Sequence, residues 1–150
     1  MTTIKYIIMA LISASLLASS GCSEDSVDPK TKALNDQLHL LMNQGKAWVV
    51  GGTGSVEKDG YDVSNQFAAF RLTIGNKTYV TENALNNVWK TNGSWDFHEA
   101  NPQQFIREDD VLVTVAISDN KLILTFSGAG TTSGRTNSIP GEYSFELVSE

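Results

Sequence analysis

The stretch Val111-Leu112-Val113-Thr114-Val115-Ala116-Ile117-Ser118-Asp119-Asn120-Lys121-Leu122-Ile123-Leu124-Thr125-Phe126 decides the fold class. Val111, Val113, Val115 and Ile117 alternate with Leu112, Thr114, Ala116 and Ser118, and after Asp119-Asn120 the alternation resumes with Leu122, Leu124 and Phe126. Successive side chains of a strand point to opposite faces, so a period of two puts these apolar residues on one face of a β-hairpin. Asp119-Asn120 supplies the reversal. The opposite face, with Thr114, Ser118 and Thr125, is left to water. One buried and one wet face is the pattern of antiparallel sheet.

The same period recurs on both sides of this hairpin. Downstream, Glu142–Val148 turns Tyr143, Phe145 and Leu147 inward and Glu142, Ser144 and Glu146 outward. Upstream, Phe70, Leu72 and Ile74 share a face in Phe67–Ile74, and Gly75-Asn76 reads as a two-residue turn into Lys77–Thr81, which carries Tyr79. Trp95 and Phe97 alternate with Ser94, Asp96 and His98, and Trp48 and Val50 open the series. Gln104–Arg107 sets Phe105 and Ile106 side by side, without apolar alternation. The expectation is an all-β domain, a small antiparallel up-and-down barrel of about eight strands, because closure removes the exposed edges of so many short strands. A two-sheet β-sandwich is the alternative. Gly51-Gly52-Thr53-Gly54 lacks the lysine and the following helix of a phosphate loop and is expected to bend or bulge a strand. Two longer connections, Glu82–Asn92 with Trp89 and Gly128–Pro140 with Arg135, are where function on loops is first sought.

Ahead of the strands the period is 3.6. Asp28-Pro29 reads as an N-cap followed by proline at the first helical position, Leu34, Leu38, Leu41 and Met42 form a stripe, and Gly45 is placed to stop the helix. One short N-terminal helix packed on the barrel is expected, with His39 near its stripe in a structural role. Further upstream, Lys5 precedes the apolar run Tyr6–Ala18, which is interrupted by serine and shorter than the roughly 20 residues of a permanent span. It reads as a cleavable signal over residues 1–21. Ser19-Ser20-Gly21-Cys22 resembles the lipobox of bacterial lipoproteins, which implies that Cys22 is acylated and becomes the first mature residue. Each buried methylene of an acyl chain contributes about 0.8 kcal/mol, so two or more chains hold durably to a membrane. Cys22 is the only cysteine of the 150 residues, so no intramolecular disulfide exists. Residues 22–30 read as a flexible acidic tether and 31–150 as the barrel domain. Ser23-Glu24-Asp25 is similar to the export signal of Bacteroidota lipoproteins, which implies an outer-membrane anchor facing the cell surface, with a periplasm-facing anchor as the alternative. Asp25-Ser26-Val27 resembles the short O-glycosylation motif of that phylum.

The order of features along the mature chain carries a wider resemblance. Trp48, Gly54-Ser55-Val56, Asp59-Gly60-Tyr61-Asp62-Val63-Ser64, Gln66-Phe67, Trp89, Gly93-Ser94-Trp95-Asp96-Phe97, Ile106-Arg107, Leu124-Thr125-Phe126, Gly134-Arg135 and Gly141-Glu142-Tyr143-Ser144-Phe145 resemble the lipocalin-like lipoproteins of Bacteroidota. The resemblance implies a small β-barrel on a lipid tether and no defined activity. Lipocalins carry Gly-x-Trp on the first strand, whereas this chain has Gly45-Lys46-Ala47-Trp48. Their stacking of an arginine on that tryptophan implies a structural pair of Trp48 with Arg135, or alternatively with Arg107.

Charge and site chemistry narrow the function classes. Loss of Lys5 with the signal leaves 10 basic and 17 acidic residues, a net charge of −7, which disfavours nucleic acid as a partner. His39 and His98 are the only histidines, and neither accompanies a nucleophile motif. Glu108-Asp109-Asp110 reads as a solvated turn rather than an acid/base pair. Glu57, Asp59 and Asp62 around Gly60 lack the ligand spacing of a calcium loop. No catalytic group, metal or cofactor is expected. The leading expectation is a membrane-anchored, non-enzymatic binding module for a small apolar or glycan-derived ligand, with Trp89, Trp95, Tyr79 and Tyr143 as candidate ligand-binding residues. The alternative is a structural or accessory envelope protein that binds another protein through an outer face or the helix.

Overall fold

A computed structural model describes residues 27–85, 87–118, 120–128 and 140–150. The signal region, Cys22, Ser23-Glu24-Asp25 and Arg135 lie outside the described residues. Helix α1 (Pro29–Met42) is followed by ten short strands: β1 (Trp48–Val50), β2 (Val56–Lys58), β3 (Tyr61–Asp62), β4 (Arg71–Gly75), β5 (Thr78–Glu82), β6 (Asn92–Phe97), β7 (Gln104–Arg107), β8 (Leu112–Ser118), β9 (Lys121–Gly128) and β10 (Gly141–Ser149). Each of β4 to β9 pairs antiparallel with the next strand, and β1 joins β4 on one side to β10 on the other. Eight strands therefore form a closed up-and-down barrel, and the ring closure through β1 rules out the two-sheet sandwich.

The β2–β3 hairpin is an extension carried on β10. β1 and β2 run along the same side of β10, with Val50 opposite Leu147 and Val56 opposite Phe145. The glycine run expected to bend a strand fills the interval between them. Gly52 and Gly54 adopt φ of 137° and 79°, in the region that favours glycine, and Ser55 returns to the ladder by accepting a hydrogen bond from the Glu146 N–H at 2.6 Å.

Alternation sets the core. Leu122, Leu124 and Phe126 of β9 and Tyr143, Phe145 and Leu147 of β10 are all buried, as are Val113 and Val115 of β8. Burying a side chain of this size contributes about 1.5–3 kcal/mol. Aromatic rings fill much of the interior: Phe145 lies 4.9 Å from Phe67, 5.3 Å from Phe70 and 5.7 Å from Phe126, centroid to centroid.

Several local expectations shift. The two residues of the β4–β5 turn are Asn76-Lys77, because Gly75 pairs with Thr78 and Lys77 takes the positive φ. Phe67 belongs to a 3-10 turn, Ser64–Phe67, but is buried all the same. Gln104–Arg107 is a regular strand whose inward residues are Phe105 and Arg107, with Ile106 turned outward. His98 opens a 3-10 turn rather than extending β6. Helix α1 starts within the stretch assigned to the tether, with the Asp28 carboxylate accepting from the Thr31 N–H at 3.1 Å. It ends at Asn43, in the left-handed region, two residues before Gly45. No helix among the described residues is long and apolar enough to cross a membrane.

Candidate functional site at the loop end of the barrel

In an up-and-down barrel the connections alternate between ends. The β4–β5, β6–β7 and β8–β9 turns lie at one end, and the β5–β6 and β7–β8 connections lie at the other, where β9 ends and β10 begins. Helix α1 serves the first end. Leu41 is fully buried, and the Trp48 indole N–H donates to the Leu41 carbonyl at 2.8 Å. The expected structural role of Trp48 thus involves the helix. The Trp48–Arg135 pair falls outside the described residues, and Arg107, the alternative partner, stacks elsewhere.

The loop end is closed by the segment between β5 and β6. The polar residues around Trp89 predict a wet loop, yet Trp89 is only 1% exposed. Val88 and Trp89 are the buried residues of this segment, with Ala84 and Leu85 half-buried against them, and folding them inward covers the aromatic interior. The Trp89 ring sits 5.4 Å from Phe126 and 5.5 Å from Tyr79, both edge-on, and 6.3 Å from Phe70. Thr81 ties the far side of the segment to the barrel: its N–H donates to Thr91 O at 2.7 Å and its hydroxyl to Lys90 O at 2.8 Å.

Arg107 is the main side-chain hold on this plug. Its guanidinium carbon lies 4.4 Å from the centre of the Trp89 ring and 5.5 Å from that of Phe126. Its Nη1 donates to Val88 O at 3.0 Å, while Nε and Nη2 grip the Asp109 carboxylate at 3.0 and 2.7 Å. Burial works to raise the Asp109 pKa, but the hydrogen bonds and charge of Arg107 outweigh it and hold the carboxyl below the ordinary range. A charge at an interior strand position is tolerable because it is paired and hydrogen-bonded. The acidic run is thereby divided: Asp109 serves Arg107, and Glu108 binds Lys90 at 3.0 Å and the Ser94 N–H at 3.0 Å.

Among the described residues, two polar atoms at the plug have no hydrogen-bond partner, the Trp89 Nε1 and the Tyr79 Oη. Each such buried group costs about 1–3 kcal/mol. Burial pushes the Tyr79 phenol up. Gly93 opposite leaves room for the ring, since a Cβ there would come within 2.6 Å of Tyr79 Oη.

The four candidate ligand-binding residues therefore separate. Tyr79 and Trp89 meet under the mouth. Trp95 is buried and donates its indole N–H to Thr78 O at 3.1 Å, bracing the β4–β5 turn. Tyr143 stacks on Phe126 at 5.5 Å and 14° and also borders a depression beside the β2–β3 hairpin. Sequence reading did not assign Arg107 to the mouth, although its two-residue spacing from Phe105 signals an inward position. Among the described residues no group of three or more histidine, cysteine or acidic side chains is placed to hold a metal ion.

The fold is consistent with a small-molecule binding module and with the lipocalin-like architecture. Comparison of the chain with known protein families, with curated proteins and with solved structures returns no significant match.

Proposed function

We propose that this chain is a lipid-anchored, non-enzymatic binding module of the cell envelope, in which a small apolar ligand exchanges with Trp89 at the mouth of the barrel. The anchor is the acyl group on Cys22 after removal of residues 1–21, and the acidic tether holds the domain at the outer membrane, facing the cell surface. The observation that carries the binding half is the plug itself. An irregular segment inserts an indole between Tyr79, Phe70 and Phe126 while its own N–H and the Tyr79 hydroxyl find no partner among the described residues. A ligand ring bringing a hydrogen-bond acceptor fits that lining and relieves the unpaired donors. The test is a titration of full-length protein in detergent, labelled with 5-fluorotryptophan, with 1-anilinonaphthalene-8-sulfonate as the apolar probe. Saturable binding that moves the Trp89 fluorine signal, assigned with Trp89→Phe, is expected. A Trp89 signal that stays fixed while the probe binds, or no binding at all, overturns the reading.

A second reading, an accessory protein that binds another envelope protein, is favoured by one feature of α1. Leu40 is 52% exposed beside a depression of about 530 Å³ bordered by Asp36, His39 and Met42. Loss of a co-purifying envelope protein on Leu40→Ser would favour this reading over the first.

A further inference from the structure

The β2–β3 hairpin carries a feature that neither barrel closure nor the mouth requires. Tyr61 is 76% exposed, the most exposed of the large hydrophobic side chains among the described residues. Its backbone is nevertheless fixed. Lys58 pairs with Tyr61 and Glu57 with Asp62 around a two-residue turn in which Asp59 and Gly60 adopt φ of 51° and 80°. Asp59 clamps the turn to β10, its N–H donating to Glu142 O at 2.8 Å and its Oδ1 accepting from the Glu142 N–H at 2.8 Å. Asp62 fixes the other flank by accepting from the Ser64 N–H at 2.9 Å and the Ser64 hydroxyl at 2.5 Å. Gly141 belongs to the same construction, since a Cβ there would lie 2.6 Å from both Asp59 Oδ2 and Lys58 Cε. The hairpin thus holds a flat aromatic ring in water on a rigid support, where a ligand pays little to order it.

Tyr61 borders a depression of about 420 Å³ together with Lys58, Asp59, Val63, Gln66 and Tyr143. That size lies within the range of small-ligand sites, roughly 300–1,000 Å³. We propose that this depression is a saccharide-binding site: the Tyr61 ring takes the C–H face of one sugar ring, and Lys58, Asp59 and Gln66 meet its hydroxyls. A sugar ring offers an apolar face edged by groups that both donate and accept, which is what one exposed ring edged by an ammonium, a carboxylate and an amide complements. The charge pattern selects a neutral saccharide. Lys58 and Asp59 lie 3.5 Å apart and offset each other, and the chain as a whole is acidic. A protein partner fits less well, because a stable interface buries about 800 Å² per side around an apolar centre. The other exposed large apolar side chains, Val27, Leu40, Val80 and Leu112, lie before or on α1, on β5 and on β8, and none lies on β2, β3 or β10.

The test is saturation-transfer NMR and calorimetry on full-length protein in detergent, against hexasaccharides of glucose (α- and β-linked), mannose and N-acetylglucosamine. At least one is expected to bind saturably. Tyr61→Ala should weaken it about tenfold or more, Tyr61→Phe should stay within about threefold, and Leu112→Ala, an exposed control, should change nothing. Because Tyr61 is exposed, its variants keep the wild-type melting temperature. No saturable binding by any of the four up to about 10 mM, or equal binding by Tyr61→Ala, overturns the proposal. So does a photo-crosslinker at position 61 that captures a protein in cells while the saccharides fail to bind. The titration that follows Trp89 does not depend on Tyr61, so the mouth reading and this one fail separately.

Discussion

Replacing Arg107 with methionine isolates the hold on the plug. The side chain is 3% exposed, and its removal deletes the two-pronged grip on Asp109, the bond to Val88 O and the cation over the Trp89 ring. Breaking one partner of a buried ion pair costs about 3–5 kcal/mol. Asp109 is 25% exposed and turns to water when abandoned, which places the loss near the lower limit. The Val88 carbonyl is the less forgiving group, since an unpaired buried acceptor costs about 1–3 kcal/mol. Methionine retains most of the apolar stem, so packing loss is confined to the guanidinium over Trp89. The expected effect is about 3 kcal/mol, from a total in the range of about 5–15 kcal/mol, so the variant folds but melts roughly 10 °C lower. Urea denaturation followed by circular dichroism and tryptophan fluorescence measures it. Lys90→Met, which breaks the exposed Lys90–Glu108 pair, should cost less than about 1 kcal/mol and serves as the control. A loss below about 1 kcal/mol for Arg107→Met, or no coupling to Asp109→Asn in a double-mutant cycle, would refute the assignment of Arg107 as the hold.

Four further outcomes are expected. Tyr79→Phe deletes a buried hydroxyl without a partner and should be neutral or stabilising by up to about 1 kcal/mol in the same assay; a clear loss would mean the hydroxyl is satisfied. Gly93→Ala drives a Cβ to within 2.7 Å of Tyr79 Cζ and should cost about 1–3 kcal/mol, measured by thermal melting. Asp109 titrates below its ordinary range when folded, so its contribution is present above the unfolded carboxylate pKa and is lost as pH falls through the folded one. Wild type should therefore lose more stability than Asp109→Asn on acidification below about pH 4, and parallel curves would contradict this. Cys22→Ala should leave melting unchanged and move the protein from the membrane pellet to the soluble fraction; a variant that still sediments with membranes sinks the anchor.

The strands that alternate cleanly in apolar content, β8, β9 and β10, are the ones the sequence makes plain, and their buried residues follow the period of two without exception from Val111 to Val115 and from Leu122 to Phe126. β7 hides from the same test because its second inward residue is Arg107, a polar side chain at a core position, so the apolar pattern looks broken while the strand is regular. Trp89 misleads for the opposite reason. Its neighbours Asn87 and Lys90 are exposed and polar, which reads as a wet loop, and only the tertiary demand to cover Phe70 and Phe126 turns Val88 and Trp89 inward. The Tyr61 depression is likewise illegible in advance, because it needs the register that sets Lys58 against Tyr143 and brings Gln66 alongside.

The two ends of the barrel are shut by tryptophans under unlike conditions, and the difference indicates which end yields. Trp48 starts a strand paired on both sides, and its indole N–H is satisfied by the last full turn of α1. Opening that end means breaking ladder hydrogen bonds and exposing Leu41 together with the helix stripe. Trp89 sits in an irregular segment, its N–H is unpaired, and its side-chain restraint is concentrated in Arg107. Withdrawal of this plug breaks no strand pairing and returns a buried donor to water, which offsets part of the apolar surface it exposes. Local opening follows the elements with fewest cooperative ties. On that ground the loop end has the lower opening free energy, and amide hydrogen exchange should be faster at Val88 and Trp89 than at Leu41 and Trp48. Equal protection at both ends would mean the plug is simply core, and the binding reading would then have to move to the outside of the barrel.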